Sequence, residues 1–310
     1  MAAVARECDD RVDAAKAIMS DSAPLGIDAK SPPFDQFRGI HRLAAARRGH
    51  ASAAHARHQL YAARDKRSQA NVLIKVTSRP GRVYEHDLVN EIASLTTINR
   101  ELPDSRHFPV LVEHGRLRDR RAYLATSFFD EWPLATAIGP ERIPRLNVAH
   151  LRTAIEIGQT LSELHALPIW HVDLNPMNIL YRWEAGRPVI RIVDFESSYE
   201  VARHPAGDFY NPPTTTGFTA PELPDRAPDA RSDLFSLGAV LYTMHAGNDW
   251  TWSSGLRPCV NTDPEIAPEL REILLAAVDP DPDKRLSSIT EFRAALVAYL
   301  VRIWPAARRL

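Results

Sequence analysis

The chain has 310 residues, with 38 Lys+Arg against 39 Asp+Glu, 45% hydrophobic and 25% charged side chains, fractions ordinary for a globular protein. A net charge of -1 implies no general attraction to nucleic acid or to an anionic membrane. Only Cys8 and Cys259 are present, which excludes a disulfide framework or a zinc ribbon and fits a reducing, cytoplasmic setting. No apolar run reaches the roughly 20 residues of a transmembrane helix. No signal peptide is expected either, because Arg6, Glu7, Asp9, Asp10 and Arg11 leave no apolar stretch at the start.

In chain order, residues 1–37 read as an arm or linker outside the core. A short helix is expected near 9–19, before Pro24, Pro32 and Pro33 break the chain. Residues 38–67 are basic, Asp65 being their only acid, and carry His41, His50, His55 and His58. The plain reading of that stretch is a solvated basic face. Asn71–Val76 is a short apolar run with Lys75 inside it, which predicts a buried strand. Leu88, Ile92 and Leu95 predict a helix over 84–99, and strands follow at Val110–Val112 and Tyr123–Phe129.

After Trp132 the pattern becomes helical. Leu151, Ala154, Ile155, Leu161 and Leu164 mark a long amphipathic helix. Leu234–Met244 is apolar on nearly all sides and predicts a buried helix, with two more at Leu270–Val278 and Ile289–Leu300. A strand-rich part followed by a helical part is an α+β arrangement. The domain reading is an arm at 1–37, a small lobe at 38–130 and a larger one at 131–310, with a cleft expected near Phe128–Leu134.

Between the amphipathic helix and the Pro-rich middle lies His171-Val-Asp-Leu-Asn-Pro-Met-Asn178, followed later by Asp194-Phe-Glu196. Asp173, Asn178 and Asp194 each sit beside apolar neighbours, and burying a carboxylate without a partner is costly. Two carboxylates and an amide near one strand–turn–strand suit a hard cation such as Mg²⁺, with phosphate oxygens completing its shell. Asp173 is then available to orient a hydroxyl nucleophile or take its proton.

These motifs resemble the protein-kinase fold. His171-Val-Asp173 with Asn178 resembles the catalytic loop, and Asp194-Phe-Glu196 the metal-binding triplet. Val72-Leu-Ile-Lys75 resembles the strand with the phosphate-binding lysine, and Asn90-Glu91 the helix whose Glu pairs with it. Gly217-Phe-Thr-Ala-Pro-Glu222, Ser232-Asp-Leu-Phe-Ser-Leu-Gly238 and Asp281-Pro-Asp-Lys-Arg285 resemble, in order, the end of the activation segment, the bracing helix and the arginine that pairs with Glu222. The resemblance covers about residues 40–300 and implies a bilobal fold that uses ATP and Mg²⁺. It implies Asp173, Lys75, Glu91 and Asn178 as catalytic residues, and Asn178 and Asp194 as metal ligands. Leu60, Leu73 and Leu180 would sandwich the adenine. Thr126 would stand at the back of its pocket, with the backbone of Ser127 to Phe129 at its edge. His171 is assigned a structural role. Glu85 is a rival to Glu91 as the partner of Lys75. Ser232 and Asp233 are candidate helix caps, although the family pattern has Asp233 hold the catalytic-loop backbone.

The sequence departs from the family in several places. Ala53, His55 and His58 stand where three glycines would allow close backbone approach to phosphates. Val172 replaces the arginine that would take a phosphate on the activation segment, which disfavours activation through Thr214, Thr215 or Thr216. Asn175 replaces a lysine, and Glu196 a glycine. The chain has 24 prolines, about 8% against the usual ~5%. Those at Pro205, Pro212, Pro213, Pro221, Pro224 and Pro228 predict a substrate-facing loop stiffened by its own sequence. The expected activity is transfer of the ATP γ-phosphoryl group to a protein Ser/Thr hydroxyl, Thr215 resembling the threonine that faces such a substrate. The alternatives are a pseudokinase scaffold that binds a regulatory protein partner and a small-molecule phosphotransferase. Gly217–Glu222 and Ser232–Gly238 favour the protein-kinase branch over the last of these.

Overall fold

The computed structural model describes residues 26–43, 57–138, 148–204, 217–247 and 255–305. The helix expected at 9–19, Ala53, His55 and Thr214–Thr216 lie outside them. The chain forms two compact units, Met1–Leu88 with Val110–Phe129, and Val89–Pro109 with Asp130–Leu310.

The first unit holds a five-stranded sheet made from β1 (Phe37–Arg42), β2 (His58–Asp65), β3 (Asn71–Thr77), β4 (Leu111–Arg116) and β5 (Ala122–Ser127), in the order β1-β2-β3-β5-β4. Every pairing is antiparallel. Leu60 faces Lys75, Ala62 faces Leu73, Leu73 faces Thr126 and Lys75 faces Leu124. Opposed residues in a ladder share a face and side chains alternate along each strand. Leu60, Leu73, Lys75, Leu124 and Thr126 therefore share one face of the sheet.

The other face carries Tyr61, Ala63, Val72, Ile74, Val76, Tyr123 and Ala125, which bury themselves against Phe34 and Phe37 with Ile27, Ile40 and Leu117 at the margin. This corrects the expectation that residues 27–37 lie outside the core. Phe34 is 2% exposed and meets Tyr123 edge to face at 5.6 Å. The apolar face needs a cover, and isolated phenylalanines in a Pro-rich stretch have no periodicity by which to announce that they supply it. Strand β1 was equally hidden, because its Arg38 and Arg42 are edge-strand charges.

Helix α1 (Arg82–Glu101) contributes its residues through Leu88 to the first unit and the rest to the second. The second unit continues with β6 (Trp132–Pro133), α2 (Leu134–Ala137), α3 (Val148–His165), β7 (Ile169–Trp170), the hairpin β8 (Ile179–Glu184) and β9 (Arg187–Ile192), and β10 (Tyr199–Glu200). Helices α4 (Ala230–Ala246), α5 (Leu256–Thr262), α6 (Pro268–Ala277) and α7 (Ile289–Ile303) complete it. On α3 the residues Leu151, Ala154, Ile157, Leu161 and Leu164 are buried, the i, i+3, i+4 stripe of a packed helix. Helix α4 is buried from Ser232 through His245, as its apolar circumference predicts. Gly238 gives α6 its close approach: a Cβ there would lie 2.7 Å from Val278 Cγ1 and 3.1 Å from Ala277 Cβ. Among the described residues no helix is long and apolar enough to cross a membrane.

Removing the Phe34 ring should cost about 3–5 kcal/mol. The Phe34→Ala variant should therefore show a clearly lower urea midpoint than wild type. An unchanged midpoint would mean that residues 27–37 are a dispensable linker.

Candidate active site

The catalytic-loop residues lie between β7 and β8, and their geometry starts from a carboxylate on α4. Asp233 is fully buried. Its Oδ2 accepts from the His171 amide at 2.8 Å, its Oδ1 from the Val172 amide at 2.7 Å, and the His165 ring nitrogen stands 2.8 Å from Oδ2. Burial alone would raise the pKa of this carboxyl. The His165 hydrogen bond, the charges of His165 and His171 and the Val172 amide together hold it below the ordinary value. The cap of α4 is instead Asp229, whose side chain accepts from the Arg231 amide and forms a capping box with Ser232.

Val172 adopts φ +70°, an unfavourable conformation for a β-branched residue. The Asp233 hydrogen bonds hold it there. The chain then turns into Asp173, whose carboxylate sits between two amides. Asn175 Nδ2 donates to Asp173 O at 3.0 Å and Oδ1 at 3.3 Å, and Asn178 Nδ2 to Asp173 O at 2.9 Å and Oδ2 at 3.2 Å. Asn175 Oδ1 also accepts from the Met177 amide at 2.9 Å. The residue that replaces the family's lysine thus fixes the rotamer of Asp173.

Asn178 and Asp194 are brought to one end of the β8–β9 hairpin. Ile179 pairs with Ile192, and the Val193 amide donates to Asn178 O at 3.0 Å. Asp194 takes φ +69°, and Phe195 after it is fully buried. The His171 ring lies 5.1 Å from that of Phe195, and its Nε2 is 3.0 Å from Val193 O, a packing role. Glu91, Asp194 and Glu196 each offer an oxygen within 4.8 Å of the others.

In the first unit Lys75 is buried on β3, while Leu60 and Leu73 on the same sheet face are half-buried. Thr126 is buried near the end of β5. The Ser127 amide donates to Val110 O at 2.8 Å and the Phe128 amide to Asn71 O at 3.0 Å, so neither amide is available to adenine. Glu85, the rival to Glu91, is engaged by Arg116 at 2.6 Å. Leu180 is half-buried on β8, paired with Pro133.

The expected pair of Glu222 and Arg285 forms. The contact is bidentate, with Nη2 to Oε2 at 2.6 Å and Nη1 to Oε1 at 2.9 Å, and Ser232 Oγ also donates to Oε1 at 2.9 Å. A second group of ligand-type side chains, His245, Asp263 and Glu265, lies near the end of α4. There Tyr242 OH donates to Asp263 Oδ2 at 3.2 Å and His245 Nε2 is 3.3 Å from the same oxygen. Sequence reasoning missed His165, Asn90 and Arg203. Their side chains act on partners far away in the chain, so no local spacing reveals them.

Comparison with known proteins agrees with this geometry. The family described as protein kinase domain matches residues 58–297, more than half of the chain, and the chain belongs to that family. The α+β class and the kinase resemblance hold. Ribosomal protein S6 kinase alpha-2 of Homo sapiens is 44% identical over 93 residues, 29% of this chain and 13% of its own length. Serine/threonine-protein kinase Pkn1 of Myxococcus xanthus is 29% identical over 211 residues, 61% of this chain and 29% of its own. Serine/threonine-protein kinase ULK3 of Xenopus laevis is 31% identical over 186 residues, 55% and 37% respectively. The chain spans well under half the length of each relative.

The Asp233→Asn variant leaves the His165 contact and two amides poorly paired, which should cost about 3 kcal/mol or more. The pKa of Asp233 is lower folded than unfolded. Its contribution is therefore complete above the unfolded value, near 3.8, and is lost as pH falls through the lower folded value. Thermal unfolding should show a lower Tm for Asp233→Asn at pH 7 and a smaller gap from wild type below pH 4.

Proposed function

We propose that the chain is an active protein kinase that uses ATP and Mg²⁺ and phosphorylates Ser/Thr hydroxyls of a protein substrate in the cytoplasm. The observation that carries this reading is the Asp173 carboxylate, half-buried and steadied from both sides by Asn175 and Asn178. Two side-chain amides hold the carboxylate in one rotamer and leave it half-buried rather than enclosed. In the reaction Asp173 accepts the proton of the attacking hydroxyl as the new O–P bond forms, and the bond from the γ-phosphorus to the ADP oxygen breaks.

Asn178 and Asp194 are the residues that would hold the metal. Asn178 engages Asp173 through its amide nitrogen, so the carbonyl oxygen is its ligand atom. With Asp194 it makes an oxygen-only donor set, which fits a hard cation. When bound, Mg²⁺ neutralises the charge that develops on the phosphate oxygens. Lys75, a buried cation on β3, is the residue for the non-transferred phosphates, and Glu91 is its carboxylate by the family pattern. Leu60, Leu73 and Thr126 share one sheet face, and the family pattern makes them, with Leu180, the adenine-binding residues. Ser127 contributes through its carbonyl, because its amide is engaged, and Phe129 stands next in the same strip. The similarity to the serine/threonine-protein kinases Pkn1 and ULK3 supports Ser/Thr rather than small-molecule chemistry.

Purified protein incubated with radiolabelled ATP, Mg²⁺ and a generic protein substrate should transfer label. Asp173→Ala and Asp194→Ala should each reduce the rate by a factor of about 10² or more. Label appearing only on an added metabolite would select the small-molecule branch. No label, together with no Mg·ATP-dependent thermal shift, would select the pseudokinase reading, which the residues at the glycine positions favour.

A further inference from the structure

Nine residues after Asp194 the chain reaches Arg203, whose guanidinium closes a polar network inside the second unit. Arg203 Nη1 donates to Asn90 Oδ1 at 2.6 Å, Nη2 to Ser94 Oγ at 2.8 Å and Nε to Glu200 Oε2 at 3.0 Å. Asn90 returns its own amide to Glu196 O at 2.9 Å and Ser198 O at 2.8 Å. Ser94 and Ser198 share a hydrogen bond at 2.8 Å, and Thr97 donates to Glu200 Oε1 at 2.9 Å. Asn90, Ser94 and Thr97 stand at i, i+4 and i+7, one face of α1. The same short segment is fixed on its other side to the catalytic loop, because β10 pairs with β7, the strand leading into His171.

We propose that Arg203 is a positioning residue that locks α1 to the segment after Asp194, so that the catalytic arrangement is built in and needs no phosphate on the activation segment. Three features carry the inference. The groups that Arg203 binds are buried, Asn90, Ser94 and Glu200 each below 9% exposed with Ser198 beside them, while the arginine itself is 30% exposed, so bonds to those groups are poorly replaced by water. The network is charge-balanced, since Glu200 neutralises Arg203 without an outside anion. The residue before Asp173, where a phosphate-pairing cation would stand, is the buried Val172. The lock acts through Glu91, the next residue after Asn90, whose carboxylate oxygen lies within 4.8 Å of those of Asp194 and Glu196. The helix that carries Glu91 beside these two carboxylates is held in that place by the bonds of Arg203 to Asn90 and Ser94. The planar fork of arginine meets three separated acceptors from three nitrogens at once, a spacing that the single nitrogen of a lysine matches poorly.

The proposal rests on the kinase reading, and two measurements separate their failures. Hydrogen exchange of the amides of 89–101 reports the lock without any need for catalysis. Arg203→Met should speed that exchange at least tenfold while the amides of α7 keep their protection. Arg203→Lys, which keeps the charge against Glu200, should fall between the two and guards against simple unfolding of the Met variant. Unchanged exchange in both variants would overturn the lock. In the transfer assay, phosphatase-treated wild type should keep its rate. Arg203→Met should lose kcat at least tenfold, with a smaller change in KM for ATP. Loss of wild-type activity on phosphatase treatment would overturn the proposal. Absence of transfer by untreated wild type would remove the kinase reading instead, leaving the exchange result to decide the lock.

Discussion

The Asp233 carboxylate is the interaction on which the second unit depends. A charge buried completely is unfavourable unless hydrogen bonds replace its water. Here two backbone amides and the His165 ring do so. The amides belong to consecutive residues, and one of them is Val172, held at φ +70°. The carboxylate therefore does more than satisfy itself. It fixes an unfavourable turn, and the turn sets the direction in which the next residue, Asp173, leaves the backbone. Around the start of the same helix, Asp229 caps the first turn and Ser232 ties it to Glu222, which Arg285 holds from the other side. The helix that carries Asp233 is thus anchored at the place from which it acts.

The first unit obeys a different constraint, the two faces of one sheet. The face under Phe34 and Phe37 is wholly apolar, and the opposite face carries Lys75 among leucines and Thr126. Slipping β3 by one residue against its neighbours would exchange these faces. It would put Lys75 into the apolar cluster and Ile74 out of it. Burial of one face therefore determines that Lys75 lies on the other, and the segment around Phe34 and Phe37 takes part because it covers the apolar face.

Departures from the family pattern acquire physical roles in the structure. Asn175, in place of a lysine, steadies Asp173. Glu196, in place of a glycine, adds a third carboxylate beside Asp194 and Glu91. Its backbone carbonyl meanwhile accepts from Asn90, so the same residue also attaches the helix. The segment that follows carries its own arginine.

Periodicity and motif order by themselves determined a good deal of this protein. The stripe on α3, the apolar circumference of α4, the strand around Lys75 and the ordered motifs from Lys75 to Arg285 were legible because each is local, a spacing of apolar residues or a short run of chemistry-bearing ones. The class of fold and the candidate residues Asp173, Asn178 and Asp194 followed from those alone. Tertiary structure decided the rest. Phe34 and Phe37 gave no period, so only the sheet they cover reveals them as core. Glu85 and Glu91 were alike in sequence, and only the fold shows Glu85 on Arg116 and Glu91 beside Asp194 and Glu196. Asp233 was readable as a cap until its oxygens were found on the His171 and Val172 amides, more than sixty positions away. The bond between Arg203 and Asn90 carries no local signal, because residues 113 positions apart meet only where folding brings them, and no local pattern records that.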